Sequence, residues 1–245
     1  MLWYKAWRES QGIFLMSAAA VSLLCLAFAL LHKEASGGIS NEPLTYAVYI
    51  WKIVYRGYLR EVFVILVLLL GMGGLMRERD TGTAGFTVTL PVSRRRLVLV
   101  RAATGLLEVL GLALLPAVLI PGLSAVAGES YPYPQARQFA LLWAAGGSFI
   151  FMIGFLSSCI FTGPYTPPIV GFLALMVYSL LSDLPVPERY SLDVHDLMSG
   201  TGRPWFELST ARLIGPVPWI PAAVFVLIAS AFIGLACGIT RKQDF

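Results

Sequence analysis

QFALLWAAGGSFIFMIGFLSSCIFTGPYTPPIVGFLALMVYSLLS, residues Gln138 to Ser182, is a run of 45 residues without one charged side chain. As a single helix it would be about 68 Å long, more than twice the roughly 30 Å hydrocarbon core of a bilayer. Gly163-Pro164 and Pro167-Pro168 fall inside it. Proline removes a backbone donor and collides with the preceding helical turn, so the run must break there. It reads as two membrane spans, at about 139–161 and 168–181.

The same reading extends toward both ends. Gly12 to Leu31 has 20 residues and no charge, the length of a span and too long for a signal-peptide core. Only His32-Lys33-Glu34 follows, with no small-residue cleavage site. Span one is therefore expected at about 13–31. Span two is expected at about 59–76. Its uncharged part, Val62 to Met76, covers about 22 Å, so Arg60 and Glu61 belong at the interface. Gly71-Met-Gly-Gly74 at its end allows a neighbouring helix to come close. Span three, about 97–127, contains Pro116 and Pro121, which are expected to kink it or end it early. Span six is expected at about 218–240. The polar loop 182–212 is expected to hold short surface helices near 192–198 and 205–213. Hydrophobic residues make up 57% of the chain and charged residues 13%, against about 25% charged in a soluble domain. The expected fold is a single all-α integral membrane domain over residues 1–245, with six transmembrane helices and both termini on one side.

Leu2-Trp-Tyr-Lys-Ala-Trp-Arg-Glu9 precedes span one. Trp3 and Trp7 are four apart and share a helical face, while Lys5 and Arg8 fall mainly elsewhere. Residues 2–10 read either as an amphipathic helix on the membrane surface or as a plain aromatic and basic flank. The side holding the N-terminus, the 77–96 link and the tail carries ten Lys and Arg in about 45 loop residues. The other side carries eight in about 70. The density of positive charge places the termini in the cytoplasm of a multi-pass protein of the cytoplasmic membrane.

Several chemistries are excluded. The basic residues flank apolar segments and form no stripe with interleaved aromatics, so nucleic acid is not an expected partner; membrane lipid is. Cys25, Cys159 and Cys237 are few, odd in number and inside apolar stretches, which reads as packing. No Gly-x-x-x-x-Gly-Lys-Ser/Thr loop is present, so the chain itself should not hydrolyse ATP. His32 and His195 are far apart, and Asp193, His195 and Asp196 read as a surface loop before a metal site. No serine elbow is present.

The most polar short segment is Arg77-Glu-Arg-Asp-Thr-Gly-Thr-Ala-Gly-Phe86, followed by Leu90-Pro-Val-Ser-Arg94. It resembles the first cytoplasmic loop of the type-2 permease subunits of ATP-binding-cassette (ABC) exporters, in which an acidic residue, Gly-Thr and Leu-Pro-Val-Ser-Arg recur at this spacing. Lys5-Ala-Trp-Arg-Glu-Ser-Gln-Gly-Ile-Phe-Leu15 is similar to that family's surface elbow helix, and Arg241-Lys-Gln-Asp-Phe245 to its tail. The resemblance implies a six-span permease that pairs as a homo- or heterodimer and binds a separate ATPase subunit, where ATP and Mg would reside. It implies an ATPase-docking site at Glu78, Gly82, Thr83, Phe86, Leu90, Pro91, Val92, Ser93 and Arg94, and an elbow containing Trp3, Lys5, Trp7 and Arg8. The family's substrates range from lipids to ions, so it names no cargo.

Plainer roles stand beside these. Arg94, Arg95 and Arg96 also serve as positive anchors, Pro91 and Ser93 as turn and N-cap, and Glu78 as a weak surface ion pair. A non-transporting anchor, signalling or assembly subunit would share all six spans. Glu108 is the one ionisable residue well inside a span. About 11 residues past Leu97, it is expected some 16 Å along the helix, near the midplane. It is either a polar point on a transport route or dimer interface, or a helix–helix hydrogen bond at a shifted span boundary.

Overall fold

The computed structural model describes residues 2–32, 45–80, 93–161, 163, 165–182, 193–201, 206–207, 212–213 and 218–242. The long helices are α1 (Leu2–Leu30), α3 (Tyr58–Asp80), α4 (Arg94–Val126), α5 (Tyr133–Ile160), α6 (Thr166–Ser182) and α8 (Trp219–Lys242). Between them lie two short helices, α2 (Tyr46–Ile50), continued by one π-helical turn over Trp51–Tyr55, and α7 (Val194–Ser199). Helices α1, α4, α5 and α8 are long and apolar enough to cross a bilayer, and α6 is a shorter apolar helix. The chain is a helical membrane protein.

Helix α5 is the centre of the bundle. Most of its apolar window is buried, against about a fifth of the windows in α1 and α8. It packs on α3, α4, α6, α7 and α8. It meets α3 along a seam of glycines. A Cβ on Gly71 would strike the Phe151 carbonyl oxygen, and one on Gly154 would strike the Leu68 carbonyl oxygen. Only glycine lets two backbones approach this closely, which maximises dispersion contact where lipid offers no hydrophobic drive. Further along, the Phe63 and Trp143 rings lie 4.7 Å apart.

These contacts also give direction. Residues 63 and 71 of α3 meet 143 and 151 of α5, so the two run parallel. Glu9 and Phe14 of α1 meet Arg101 and Gly111 of α4, again parallel. Gly105 and Val109 of α4 meet Phe151 and Gly147 of α5 in reverse order, and so do Ser157 and Phe149 of α5 with Gly171 and Tyr178 of α6. Helices α1, α3, α4, α5 and α6 therefore alternate in direction.

At one end of the bundle, α2, its π turn and α7 close over the helices. Val194, Leu197 and Met198 are buried, and Gly146 of α5 leaves room for the Met198 and Val194 side chains. Two buried indoles secure the end of α7. Trp51 Nε1 donates to the Ser199 carbonyl at 2.9 Å and Trp143 Nε1 to the Met198 carbonyl at 3.1 Å. A helix's last carbonyls lack internal donors, and here tryptophans supply them. At the other end of α7, Asp193 accepts from the His195 amide at 2.8 Å and the Val194 amide donates to Tyr178 Oη at 3.1 Å. Burial pushes the Asp193 carboxyl above the usual carboxylate range. Tyr55 stacks on Phe139 at 4.2 Å beneath this layer.

Three expectations change. Residues 2–10 are not a separate surface helix but the first turns of α1. A lone Gly12 costs only about 1 kcal/mol in a helix, and Ala6 and Ser10 are buried. Helix α4 does not end early at Pro116 or Pro121, both of which lie inside it. Near 205–213 a short antiparallel pair, Phe206–Glu207 with Arg212–Leu213, replaces the expected helix. Ser209 and Thr210 between them favour a turn over a helix interior.

The Gly71–Gly154 seam predicts that Gly154→Leu lowers unfolding stability by about 3 kcal/mol or more, since backbone must shift to admit the side chain. Gly238→Ala in α8, where a Cβ meets nothing within 4 Å, should be neutral or stabilising by up to about 1 kcal/mol. Thermal unfolding of the two variants in one detergent checks the contrast.

Candidate functional site

Arg101, Thr104 and Glu108 are spaced three and four apart on α4 and so share one face. Ala6, Glu9 and Ser10 share a face of α1 for the same reason. The two faces meet. Glu9 Oε2 pairs with Arg101 Nη2 at 2.7 Å, and Lys5 Nζ lies 3.7 Å from Glu9 Oε1. One turn further in, the Ser10 hydroxyl donates to Glu108 Oε1, with the Ala6 carbonyl a second acceptor at 3.1 Å.

Glu108 is only 3% exposed. Its Oε2 is buried and has no hydrogen-bond partner among the described residues. Thr104 does not supply one: its hydroxyl donates to the Val100 carbonyl of its own helix at 2.9 Å. A cavity of about 30 Å³ lies between these groups, bordered by Arg101 and Glu108 on one side and by Gly71, Phe151 and Phe155 on the other. That is room for a water or two, or for a side chain to swing through. Arg101 itself is 8% exposed, so its charge depends on close counterions.

The partner of Glu108 sets its level against α1: Ser10 lies just before the apolar stretch that starts at Gly12, so Glu108 stands beside the beginning of that stretch. From Val109 to Val126, α4 still has 18 uncharged residues, about 27 Å of helix. That length nearly spans the core on its own.

The residues expected to dock an ATPase fall mostly outside the described residues: Gly82, Thr83, Phe86, Leu90, Pro91 and Val92 do so entirely. Glu78 lies in the last turn of α3, and Arg94 is the first residue of α4. Ser93 caps α4, its hydroxyl accepting from the Arg96 amide at 3.4 Å. Among the elbow residues, Trp3 and Arg8 are exposed, Lys5 is half-buried, and Trp7 tilts against Phe14 at 5.4 Å. Asp193, His195 and Asp196 gather around α7 as caps, and Asp196 Oδ1 accepts from Thr201 Oγ1 at 2.8 Å. No metal-binding group occurs among the described residues.

Sequence reasoning missed the Glu9–Arg101 pair. The signal was present as the Arg101-x2-Thr104-x3-Glu108 spacing, which aligns three polar side chains on one face of an otherwise apolar helix. What was missing was the knowledge that α1 lies against that face.

Replacing Arg101 with Gln should take from Glu9 the nearer of its two cations, in a poorly hydrated site, and lower stability by about 3 kcal/mol or more. Arg137→Gln, at an exposed position of α5, should stay within about 0.5 kcal/mol. Detergent melting curves of the two variants provide the test.

A scan against protein-family models finds none that matches the chain, and a search of curated proteins finds no matching relative.

Proposed function

We propose that this chain is the permease subunit of an ABC exporter. In this reading it crosses the cytoplasmic membrane six times, with both termini in the cytoplasm. It pairs with a second permease subunit, identical or different, and receives the energy of ATP hydrolysis from a separate ATPase subunit. Three segments support the reading: the 77–94 link, the 5–15 segment and the 241–245 tail, each similar to its counterpart in that family. The alternation of α1, α3, α4, α5 and α6 supports it too. In this reading α8 is the sixth span, which would bring the start of α1, the link after α3 and the end of α8 to one side.

The observation that carries the proposal is the Glu9–Arg101 pair. It ties the N-terminal segment to the helix that directly follows the link. These are the two segments through which such a permease would feel its ATPase. The ion pair links the two parallel helices, α1 and α4, that would receive the motion of the closing ATPases. The remaining helices would then rearrange and open a path to the opposite side. Such a cycle is driven by ATP binding better to one conformation than to the other.

The chain purified from its native membrane in mild detergent should bring down an ATP-binding subunit. A variant with Thr83, Phe86 and Leu90 all changed to Asp should lose that subunit while keeping its own yield and melting temperature. Finding no nucleotide-binding partner under any gentle condition would reject the permease reading and favour a non-transporting membrane subunit.

A further inference from the structure

The site around Arg101 contains two carboxylates and one guanidinium, and they are unequally served. Glu9 has both Arg101 and Lys5 nearby. Glu108 has one serine hydroxyl and a buried oxygen with no hydrogen-bond partner among the described residues. An unsatisfied carboxylate oxygen at 3% exposure is costly, because burial removes its water without giving a donor in return. The nearest strong donor on its own helix is Arg101, seven residues earlier and on the same face. Two helical turns separate their Cα atoms by about 10.5 Å, within the combined reach of an extended arginine and a glutamate. Both side chains line the same cavity of about 30 Å³, which gives the guanidinium some free volume on the way.

We infer that Arg101 is a two-position switch, paired with Glu9 in the conformation described here and with Glu108 in a second conformation in which the first turns of α1 have moved relative to α4. Sliding one helix along another normally strands any ion pair that bridges them, at a cost that freezes the interface. A second carboxylate on the arginine's own helix removes that cost. In the second position Arg101 no longer bridges the helices, the Glu108 oxygen gains its donor, and Glu9, near the end of the bundle and close to Lys5, becomes free to meet water. Ser10 leaves Glu108 in the same movement and returns its hydroxyl to the Ala6 carbonyl, already 3.1 Å away. The switch does not depend on the chain being a permease. If it is one, the switch lets the N-terminal segment shift under an attached ATPase while α4 keeps its charges paired.

Thermal unfolding of a double-mutant cycle in detergent tests this directly. With an alternative carboxylate available, Glu9→Gln and Glu108→Gln should each lower the melting temperature only slightly. The double variant leaves Arg101 with neither carboxylate and should lose at least about twice the sum of the single losses. If the double variant is too unstable to purify, adding Arg101→Gln should restore yield and melting temperature, because the buried cation that has lost both carboxylates is then gone. Additive losses would overturn the inference, as would a Glu9→Gln loss as large as that of the double variant or a triple variant that is not rescued. None of these readouts involves ATP or a partner subunit, so failure of the switch and failure of the permease reading are separate results.

Discussion

The bundle depends on the contact between α3 and α5. Inside a bilayer, lipid tails satisfy apolar side chains as well as another helix does, so association rests on close packing and on polar groups that need partners. Gly71 and Gly154 each face the other helix's backbone with no room for a Cβ. That approach fixes α5 against α3 and leaves the rest of α5 as a surface for α4, α6 and α8. Phe149 shows the consequence: it touches Tyr178 of α6 at 5.0 Å and Phe225 of α8 at 5.3 Å. Helix α5 thus behaves as the core of a soluble protein would, while α1 and α8 keep broad apolar faces outward.

Polar contacts then specify the two ends of the bundle in different ways. At the α7 end they are made to backbone: indole N–H groups and a guanidinium on carbonyls, a tyrosine hydroxyl on an amide, an aspartate on a helix start. These bonds seat a short helix and resist its departure, each contributing about 1 kcal/mol. At the opposite end the contacts are ionic and join side chains of two long helices. Ion pairs of this kind have alternatives within reach, whereas the carbonyls of α7 have none. The first end is built to hold one arrangement, and the second is built around groups that can trade partners.

Much of the helical framework was legible in the sequence, and the reasons differ along the chain. The long uncharged stretches announce apolar helices because charge is expelled from hydrocarbon. Gly163 adopts a positive φ of 102° between α5 and α6, a conformation glycine enters freely, which is why Gly163-Pro164 was a dependable stop. Gly71 was read correctly as a point of close approach because few residues but glycine suit that role. The continuous α1 was not legible. Trp3, Lys5, Trp7 and Arg8 form a convincing amphipathic pattern by themselves, and only the packing of Ala6 and Ser10 against α4 joins them to the span. The burial of Val194, Leu197 and Met198 was hidden for a similar reason: six residues carry little periodicity, and the seat at Gly146 is remote in sequence.

The depth of Glu108 shows how a packing partner constrains a reading made from one helix. A helix of 33 residues is about 50 Å long, far more than a bilayer requires, so the sequence of α4 alone permits several placements. Counting from the last arginine of Arg94-Arg95-Arg96 puts the glutamate in the middle of the hydrocarbon. Counting from the partner helix puts it at the edge, because Ser10 lies before the apolar stretch of α1 begins. The second count has a physical basis that the first lacks: a buried carboxylate and a hydroxyl that hydrogen-bond must share one depth. In a bundle of over-long helices, depth belongs to the pair. The shortest apolar stretch in contact with a polar residue, and not the residue's own helix, decides whether that residue faces hydrocarbon or the polar boundary.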